Sequence, residues 1–191
     1  MDTANVTYGK PRAAGAAYSA PAETTLPADA RTALAATFVG LGYISEDGLV
    51  NENSPESETI KAWGGDTVLV TQTDKQDTFS FKLIESTNIN VLKEVYGSTN
   101  VTGSIETVAG LTVKANSTEL PERVFVFEMN LKGDLLKRIV IPNGKVSEIG
   151  EISYSDSDAT GYEVTIHAMP DDDGNTHYEY IQDPSIVAGG E

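Results

Sequence analysis

The sequence contains no cysteine, which excludes disulfide bonds and thiolate metal sites. No apolar run approaches the roughly 20 residues that a helix needs to cross a bilayer. The first residues, MDTANVTYGK, also lack the basic region and the apolar run of a secretory signal peptide. We therefore expect a soluble protein that is made in a cytoplasm and has no membrane partner.

Basic residues are scarce in this chain of 191 residues, which has 13 Lys and Arg against 29 Asp and Glu. The formal net charge is −16, and no Lys or Arg follows Lys145. Proteins that bind nucleic acids by neutralising phosphates need clustered cations, and so do basic helices at membrane surfaces. The charge therefore disfavours both classes of function and predicts a protein that repels polyanions.

Signatures of catalysis are also missing, since the sequence has no G-x-S-x-G motif, no P-loop and no dinucleotide fingerprint. The histidines His167 and His177 lie in strand-like runs without zinc-site spacing, and we interpret both as surface residues. Asp171–Asp173 precede Gly174 without the closing Glu of an EF-hand, which favours a tight hairpin turn over the alternative of a calcium loop. We predict no catalytic residue, no cofactor and no metal, and therefore no enzyme.

Short runs of alternating apolar residues between turn signals predict half-buried strands after residue 37. Three of these runs, TFSFKLIE, RVFVFEMNL and GYEVTIHAM, begin at Thr78, Arg123 and Gly161. Lys132–Asp134 predicts a turn into the run LLKRIVI, and WGGD, from Trp63, is typical of another hairpin turn. Because such connections are too short for parallel crossovers, we expect antiparallel pairing.

One segment, STNINVLKEVYG, has helical periodicity instead. Thr87 or Asn88 can cap its start, Gly97 can end it, and its apolar residues form one stripe. This predicts one short amphipathic helix at about residues 88–96, which needs a sheet to pack on. The predicted fold is therefore mainly β, an antiparallel sandwich or barrel with one flanking helix.

Two stretches do not fit this core. Residues 1–36 are rich in Ala, Thr and Pro, and we predict an extended N-terminal arm that is ordered only when something binds it. Residues 45–59 are acidic and contain no Lys or Arg, and we predict a long polar hairpin loop. The β-domain is expected at residues 37–183, with a short C-terminal tail at 184–191.

Between about Phe38 and Ile181 the chain contains five segments in a fixed order, LGYISEDGL, IKAWGGDTVLV, TFSFKLIESTN, VLKEVYG and VTIHAMPDDDGNTHYEY. In this order they resemble the major tail tube proteins of long, non-contractile-tailed bacteriophages of the siphophage type, especially those of actinobacterial hosts. The resemblance lies in turns and strand ends. The tubes of secretion systems and of contractile tails have a related fold and remain alternatives.

The resemblance implies a structural virion protein whose copies assemble into stacked hexameric rings, each subunit contributing strands to a barrel around a lumen. A tape measure protein fills such a lumen, and tail terminator and distal tail proteins close the two ends. DNA passes through transiently, without sequence-specific binding. The protein would be made in the host cytoplasm and would end in the virion tail.

The surplus of carboxylates then has a physical role in the lumen. Duplex DNA carries one negative charge per roughly 1.7 Å of its axis, and a cationic wall would hold it. We predict an acidic lumen with four candidate residues, Glu148, Glu151, Glu163 and Glu179. The alternative is that the charge only keeps the subunit soluble before assembly.

The acidic stretch has an expected role in assembly, because a long hairpin after the first core strand reaches an adjacent subunit or ring in the family that the sequence resembles. The carboxylates predicted to make this contact are Glu46, Asp47, Glu52, Glu56 and Glu58. The candidate partner cations are Lys75, Lys82, Arg123, Lys137 and Arg138. The alternative is a mobile, solvated loop.

A non-enzymatic β-sandwich binding module, such as a capsid decoration domain or an adhesin-like domain, is the alternative for the whole chain. A glycan-directed enzyme with scattered carboxylates ranks behind it, because one Trp offers few aromatic platforms for sugars.

Overall fold

The computed structural model describes residues 1–13 and 15–186. These residues form one α-helix, α1 (Ile89–Tyr96), and short 3₁₀ turns at Thr3–Asn5 and Ser98–Asn100. The strands are β1 (Lys10–Pro11), β2 (Ala17–Pro21), β3 (Val39–Gly40), β4 (Ile44–Lys61), β5 (Thr67–Leu83), β6 (Val101–Gly103), β7 (Leu111–Val113), β8 (Arg123–Asn130), β9 (Leu136–Ile149), β10 (Tyr162–Met169) and β11 (Tyr178–Gln182). Residues 187–191 of the predicted tail lie outside the described residues.

Nine of these strands form one antiparallel sheet with the order β3-β2-β8-β9-β10-β5-β4, in which β1 also pairs with β8 and β11 with β9. The strands β6 and β7 pair with each other in a small second sheet. Within the described residues the strand order does not close on itself. The mainly β, antiparallel prediction is therefore confirmed, and an open, sandwich-like arrangement replaces the barrel.

The strand β9 divides the sheet into two layers because its pairing partner changes along its length. Its first half pairs with β11, and its second half pairs with β10. Pro142, which has no N–H to donate, lies between the two halves. The neighbouring Gly144 is also required, since a Cβ there would lie 2.6 Å from the Phe125 ring. One layer thus contains β8 and the other contains β5.

The hydrophobic core lies between the two layers. Phe127 of β8 stacks on Phe79 of β5 with 6.1 Å between ring centroids, and meets Phe81 edge-on at 5.1 Å. The helix adds three buried side chains to the same cluster, Val91, Leu92 and Val95. The predicted alternation in TFSFKLIE is confirmed, because Phe79, Phe81 and Leu83 are buried and the residues between them are only partly buried.

The predicted helix is confirmed with both of its ends. The Asn88 side chain accepts a hydrogen bond from the Asn90 N–H at 2.9 Å, and Gly97 follows the last turn with φ +90°. A buried ion pair holds the helix to the sheet, where Glu94 lies 3.1 Å from Arg123 and accepts a hydrogen bond from Ser19 at 2.8 Å. Burial raises the pKa of Glu94, although Arg123 and Ser19 oppose the shift.

The N-terminal segment covers the outer face of the layer that contains β8. Within it, β2 pairs with β8 on one side and with β3 on the other. Leu26, Leu34 and Phe38 pack over a second apolar cluster formed by Ala20, Val124, Val126 and Val140. The prediction that residues 1–36 become ordered only on binding is wrong for residues 17–21, which lie inside the sheet. The domain boundaries themselves stay a prediction.

Two arginines, the buried Arg138 and the partly buried Arg12, fasten this segment to the sheet. Arg138 is 1% exposed, pairs with Glu128, and donates hydrogen bonds to the Asp29 and Thr32 carbonyl oxygens at 2.6 and 2.8 Å. Arg12 pairs with the same carboxylate at 3.1 Å. Since Glu128 receives both cations, this network sets the path of the chain across the outer face of β8.

Candidate assembly surface

A long hairpin projects from the body of the protein. Residues 51–76, named here the hairpin arm, are exposed throughout, although the β4–β5 ladder continues through them to the pair Lys61↔Thr67. The span from the pair Glu52↔Thr78 to that last pair is roughly 30 Å at 3.3 Å per residue. A turn closes the ladder, in which the Ala62 N–H donates to the Asp66 carbonyl oxygen at 2.7 Å.

The predicted hairpin and its WGGD turn are present, but residues 45–59, expected as a loop, belong to β4, and residues 49–59 are paired with β5. Their sequence has no alternation of apolar and polar residues because both faces of the arm are in solvent. Of the predicted contact residues, Glu52, Glu56 and Glu58 lie on the hairpin arm, whereas Glu46 and Asp47 lie at its root beside an irregularity in the ladder. A role in contacts between subunits stays a prediction.

The tip of the hairpin arm is apolar on both faces. Trp63 in the turn is fully exposed, and Ile60 and Leu69, a cross-strand pair, are each about half exposed. Val68 and Val70 are also exposed. Large apolar side chains that are grouped at one exposed point are typical of an interaction surface.

The flanks of the hairpin arm are acidic and are not neutralised from within. Glu56 lies directly across the ladder from Asp74, and like charges in such a pair destabilise a hairpin. Lys61 and Lys75 are the cations of the arm, against the carboxylates Glu52, Glu56, Glu58, Asp66 and Asp74. A cationic surface opposite the arm would remove this repulsion.

A buried carboxylate fixes the root of the hairpin arm. Asp77 is 1% exposed and accepts hydrogen bonds from Asn51 at 2.7 Å, from Thr176, and from His177 Nδ1 at 2.6 Å. These donors come from β4 and from the segment that leads into β11. Burial alone would raise the pKa of Asp77, but hydrogen bonds from Thr176, His177 and Asn51 hold it below its usual value.

The interpretation of His177 as a surface residue is wrong. Its ring lies edge-on to Phe79 at 5.2 Å, and its side chain is 15% exposed. His167 lies half-buried on the polar side of β10, as predicted from the alternation. The sequence contained no sign of the pairing between Asp77 and His177, because a hundred positions separate them.

Replacing Asp77 by Ala should lower the free energy of unfolding at pH 7 by about 2 kcal/mol, because three partly buried donors lose their acceptor. Since the folded-state pKa of Asp77 is lowered, its contribution is present above pH 4 and is lost as the pH falls through that pKa. Urea unfolding of both proteins between pH 7 and pH 2.5 should therefore show the difference shrinking in acid.

The matched control is Asp74→Ala, three residues along the exposed arm, which should leave stability unchanged or slightly raised because it removes the repulsion with Glu56. An equal loss in both variants would contradict a special role for Asp77.

The predicted lumen residues do not share one surface. Glu163 of β10 faces Lys82 across the ladder, and Glu148 of β9 faces Thr165. Both therefore lie on the outer side of the second layer, named here the polar face, and Glu151 follows just after β9 in an exposed position. Glu179 lies on β11 in the other layer, where it pairs with Lys137 at 2.7 Å.

Most of the predicted partner cations are already engaged within the chain. Arg138 is buried against Glu128, Arg123 pairs with Glu94, and Lys137 pairs with Glu179. Lys75 belongs to the hairpin arm itself, and Lys82 lies on the polar face. Two further exposed cations, Lys93 and Lys114, were missed by the sequence analysis and have no ion pair within the described residues.

The acidic run Asp171–Asp173 forms the predicted turn. The Asp171 side chain accepts hydrogen bonds from the Asp173 and Asn175 N–H groups at 3.0 and 2.9 Å. Across residues 1–13 and 15–186, no three His, Cys, Asp or Glu side chains are grouped as metal ligands would be. The same residues include no helix with the length and apolarity that crossing a membrane requires.

Comparison with known proteins links the sequence of this chain to one family. A sequence model of a family described as phage tail tube protein matches residues 11–189. The curated proteins contain no match to the chain.

Proposed function

The chain belongs to the phage tail tube protein family, and on that premise we propose that its copies form stacked hexameric rings around a lumen through which the genome passes. Family membership confirms the predicted resemblance, implies self-assembly into a tube in the virion tail, and suggests a structural rather than an enzymatic role. The actinobacterial host stays a prediction.

The hairpin arm is the observation that supports assembly most strongly. A two-stranded hairpin is marginally stable in water by itself, yet this one extends roughly 30 Å beyond the body with an apolar tip and repelling carboxylates. Each of these defects is removed when another protein surface covers the arm. In a tube, that surface belongs to a second copy of the chain.

An open sheet edge supports the same proposal. The strand β4 is the last in the sheet order, so its outer edge has no partner strand within the described residues over 18 positions. Proteins that stay monomeric usually keep edge strands short or covered. Here Pro55 and the ladder irregularities only interrupt the edge, and the rest can pair with a neighbouring subunit.

The lumen is proposed to be acidic, with the polar face as the part of the wall that carries Glu148 and Glu163. Glu151 adjoins that face, whereas Glu179, in the other layer and paired with Lys137, is a weaker candidate. Such a wall repels the phosphates of passing DNA. The further partners are a tape measure protein in the lumen before ejection, and tail terminator and distal tail proteins at the ends of the tube.

Replacing Glu148 and Glu163 together by Lys should slow ejection of DNA from assembled particles at least tenfold at low salt and leave tube length unchanged, because the new cations would bind phosphates by releasing counterions. The rate of ejection can be followed with a fluorescent dye that binds the DNA once it has left the particle. The control places Lys at Glu106, in the β6–β7 loop away from the polar face. Normal ejection by the double variant would remove the proposed role of these carboxylates.

Electron microscopy of the purified chain at increasing concentration tests the proposal as a whole. We expect hollow tubes of uniform diameter built from six-membered rings. A chain that remains monomeric, or that forms only discrete small particles, would instead favour a binding module.

A further inference from the structure

The pairing of β5 divides this strand into a part inside the sheet and a part outside it. Residues from Leu83 to Thr78 pair with β10, and the last of these pairs is Thr78↔His167. From Asp77 to the turn, β5 has β4 as its one ladder partner within the described residues. The sheet therefore stops supporting the hairpin at Asp77, and a two-stranded hairpin without further support is only marginally stable in water.

The other strand of the hairpin joins the sheet through an irregular segment. The ladder between β4 and β5 is interrupted just before Leu49, where residues 45–48 form a bulge. Gly48 has φ +76°, and a Cβ added there would meet no heavy atom of the described residues within 4 Å. Because a bulge disrupts the ladder and bends the strand, the backbone pairing by itself leaves the hairpin free to bend where it leaves the sheet.

Side chains supply the missing support at one point. The carboxylate of Asp77, which is 1% exposed, accepts hydrogen bonds from Asn51 inside the hairpin and from Thr176 and His177 outside it. Within the described residues, the contacts with Thr176 and His177 are the only hydrogen bonds or ion pairs that join a side chain of residues 51–77 to a part of the chain outside β4 and β5. One buried carboxylate thus connects the hairpin arm to the body.

The two donors outside the hairpin are themselves held in place by the fold. Thr176 and His177 end the connection from β10 to β11, and the ring of His177 lies edge-on to Phe79 of the core at 5.2 Å. Tyr178, the first residue of β11, donates a hydrogen bond to the Asp171 carboxylate in the turn of this connection at 2.6 Å. Since the core and the turn fix these donors, the donors position Asp77 rather than follow it.

We propose that Asp77, Thr176 and His177 form a latch that sets the direction in which the hairpin arm leaves the body, with Thr176 and His177 as its positioning residues. When the latch is open, the arm swings about its root while the sheet and the core stay unchanged. An arm that is held in one direction loses less conformational freedom when another surface binds it. The inference goes beyond the proposed function, because it concerns the arm of the free subunit and holds for any surface that covers the arm.

The absence of cysteine makes the direction of the arm measurable with spin labels. Labels on Ser57→Cys in the arm and Lys93→Cys on α1 report the distribution of arm–body distances, and both positions are exposed. A second pair, Lys93→Cys with Ser147→Cys on β9, lies within the body and is the reference. Pulsed electron paramagnetic resonance on the full chain, below the concentration at which it assembles, gives both distributions.

Two double variants separate the hydrogen bonds of the latch from its packing. Thr176→Val with His177→Phe keeps similar shapes but removes both donors to Asp77, and it should broaden the arm–body distribution about twofold. Thr176→Ser with His177→Asn keeps a hydroxyl and an N–H donor, so it should preserve the narrow distribution of the unchanged chain. Thr176→Val alone, which loses one donor, should broaden the distribution less. Circular dichroism verifies that each variant is folded.

The outcomes decide for or against the latch. A narrow arm–body distribution in the absence of both donors would show that the ladder alone sets the direction of the arm, and the latch would be overturned. Equal broadening in the variant that keeps both donors, or in the reference pair, would also overturn it, because the hydrogen bonds to Asp77 would not be the cause. A chain that never forms tubes would contradict the proposed function and leave the latch intact.

Discussion

A chain in which Asn-Gly replaces residues 55–75 is expected to fold as a monomer and to form no tubes at any concentration at which the unchanged chain assembles. The cross-strand pair Ser54↔Gln76 gives the deletion its boundaries, because a two-residue Asn-Gly turn can close the ladder there. The removed residues are exposed throughout, so the deletion takes away little buried apolar area. The melting temperature should therefore stay within a few degrees.

The loss of assembly can be measured by sedimentation and electron microscopy. A matched control replaces another exposed acidic segment, Ser155–Asp158, by Gly-Gly, and it should assemble as the unchanged chain does. Tubes of normal diameter and length from the shortened chain would show that the hairpin arm is dispensable, and the proposal would lose its main support.

Replacing Arg138 by Ala should lower the free energy of unfolding by about 3–5 kcal/mol, the usual cost of removing one partner from a buried ion pair. The change leaves Glu128 with Arg12 as its remaining cation and frees the carbonyl oxygens of Asp29 and Thr32. The segment that covers Val124 and Val126 then loses its anchor, so apolar area is exposed as well. Urea unfolding followed by circular dichroism measures the loss.

The adjacent residue is the control for this prediction. Lys137 lies on the same strand but pairs with the partly exposed Glu179, and exposed pairs contribute at most about 1 kcal/mol. Lys137→Ala should therefore change stability little. If Arg138→Ala costs no more than Lys137→Ala, the arginine network does not hold the N-terminal segment in place.

The predictable parts of the fold are the helices and strands that have one apolar face and one polar face, because this contrast is visible in the sequence. The helix at Ile89–Tyr96 has an apolar stripe with a cap at each end, and β5 near Phe79 and Phe81 alternates. The strand β8 was predicted with one apolar face, but both of its faces are buried because the N-terminal segment covers the second. Residues 17–21 were assigned to an arm, since five residues of Ala, Ser, Tyr and Pro carry little apolar signal.

The hairpin arm likewise had features that were predictable from the sequence and features that were not. The unusual acidity of residues 45–59 was visible in the sequence. Their strand pairing was not visible, because a strand that is exposed on both sides has no alternation of apolar and polar residues. Of the cations proposed to meet it, Arg123 and Arg138 are paired with Glu94 and Glu128 inside the protein, which the sequence did not indicate.

Composition and local periodicity were enough to predict the absence of disulfides, a strongly negative charge, mainly β structure with one short helix, and a family resemblance in the order of the turns. Only the folded chain shows which charges are paired inside the protein, how β9 divides the sheet into layers, and that the apolar tip of the hairpin arm lies far from the core. The reason is that periodicity records only the environment of neighbouring residues. Ion pairs and layers depend on contacts between residues far apart in the chain.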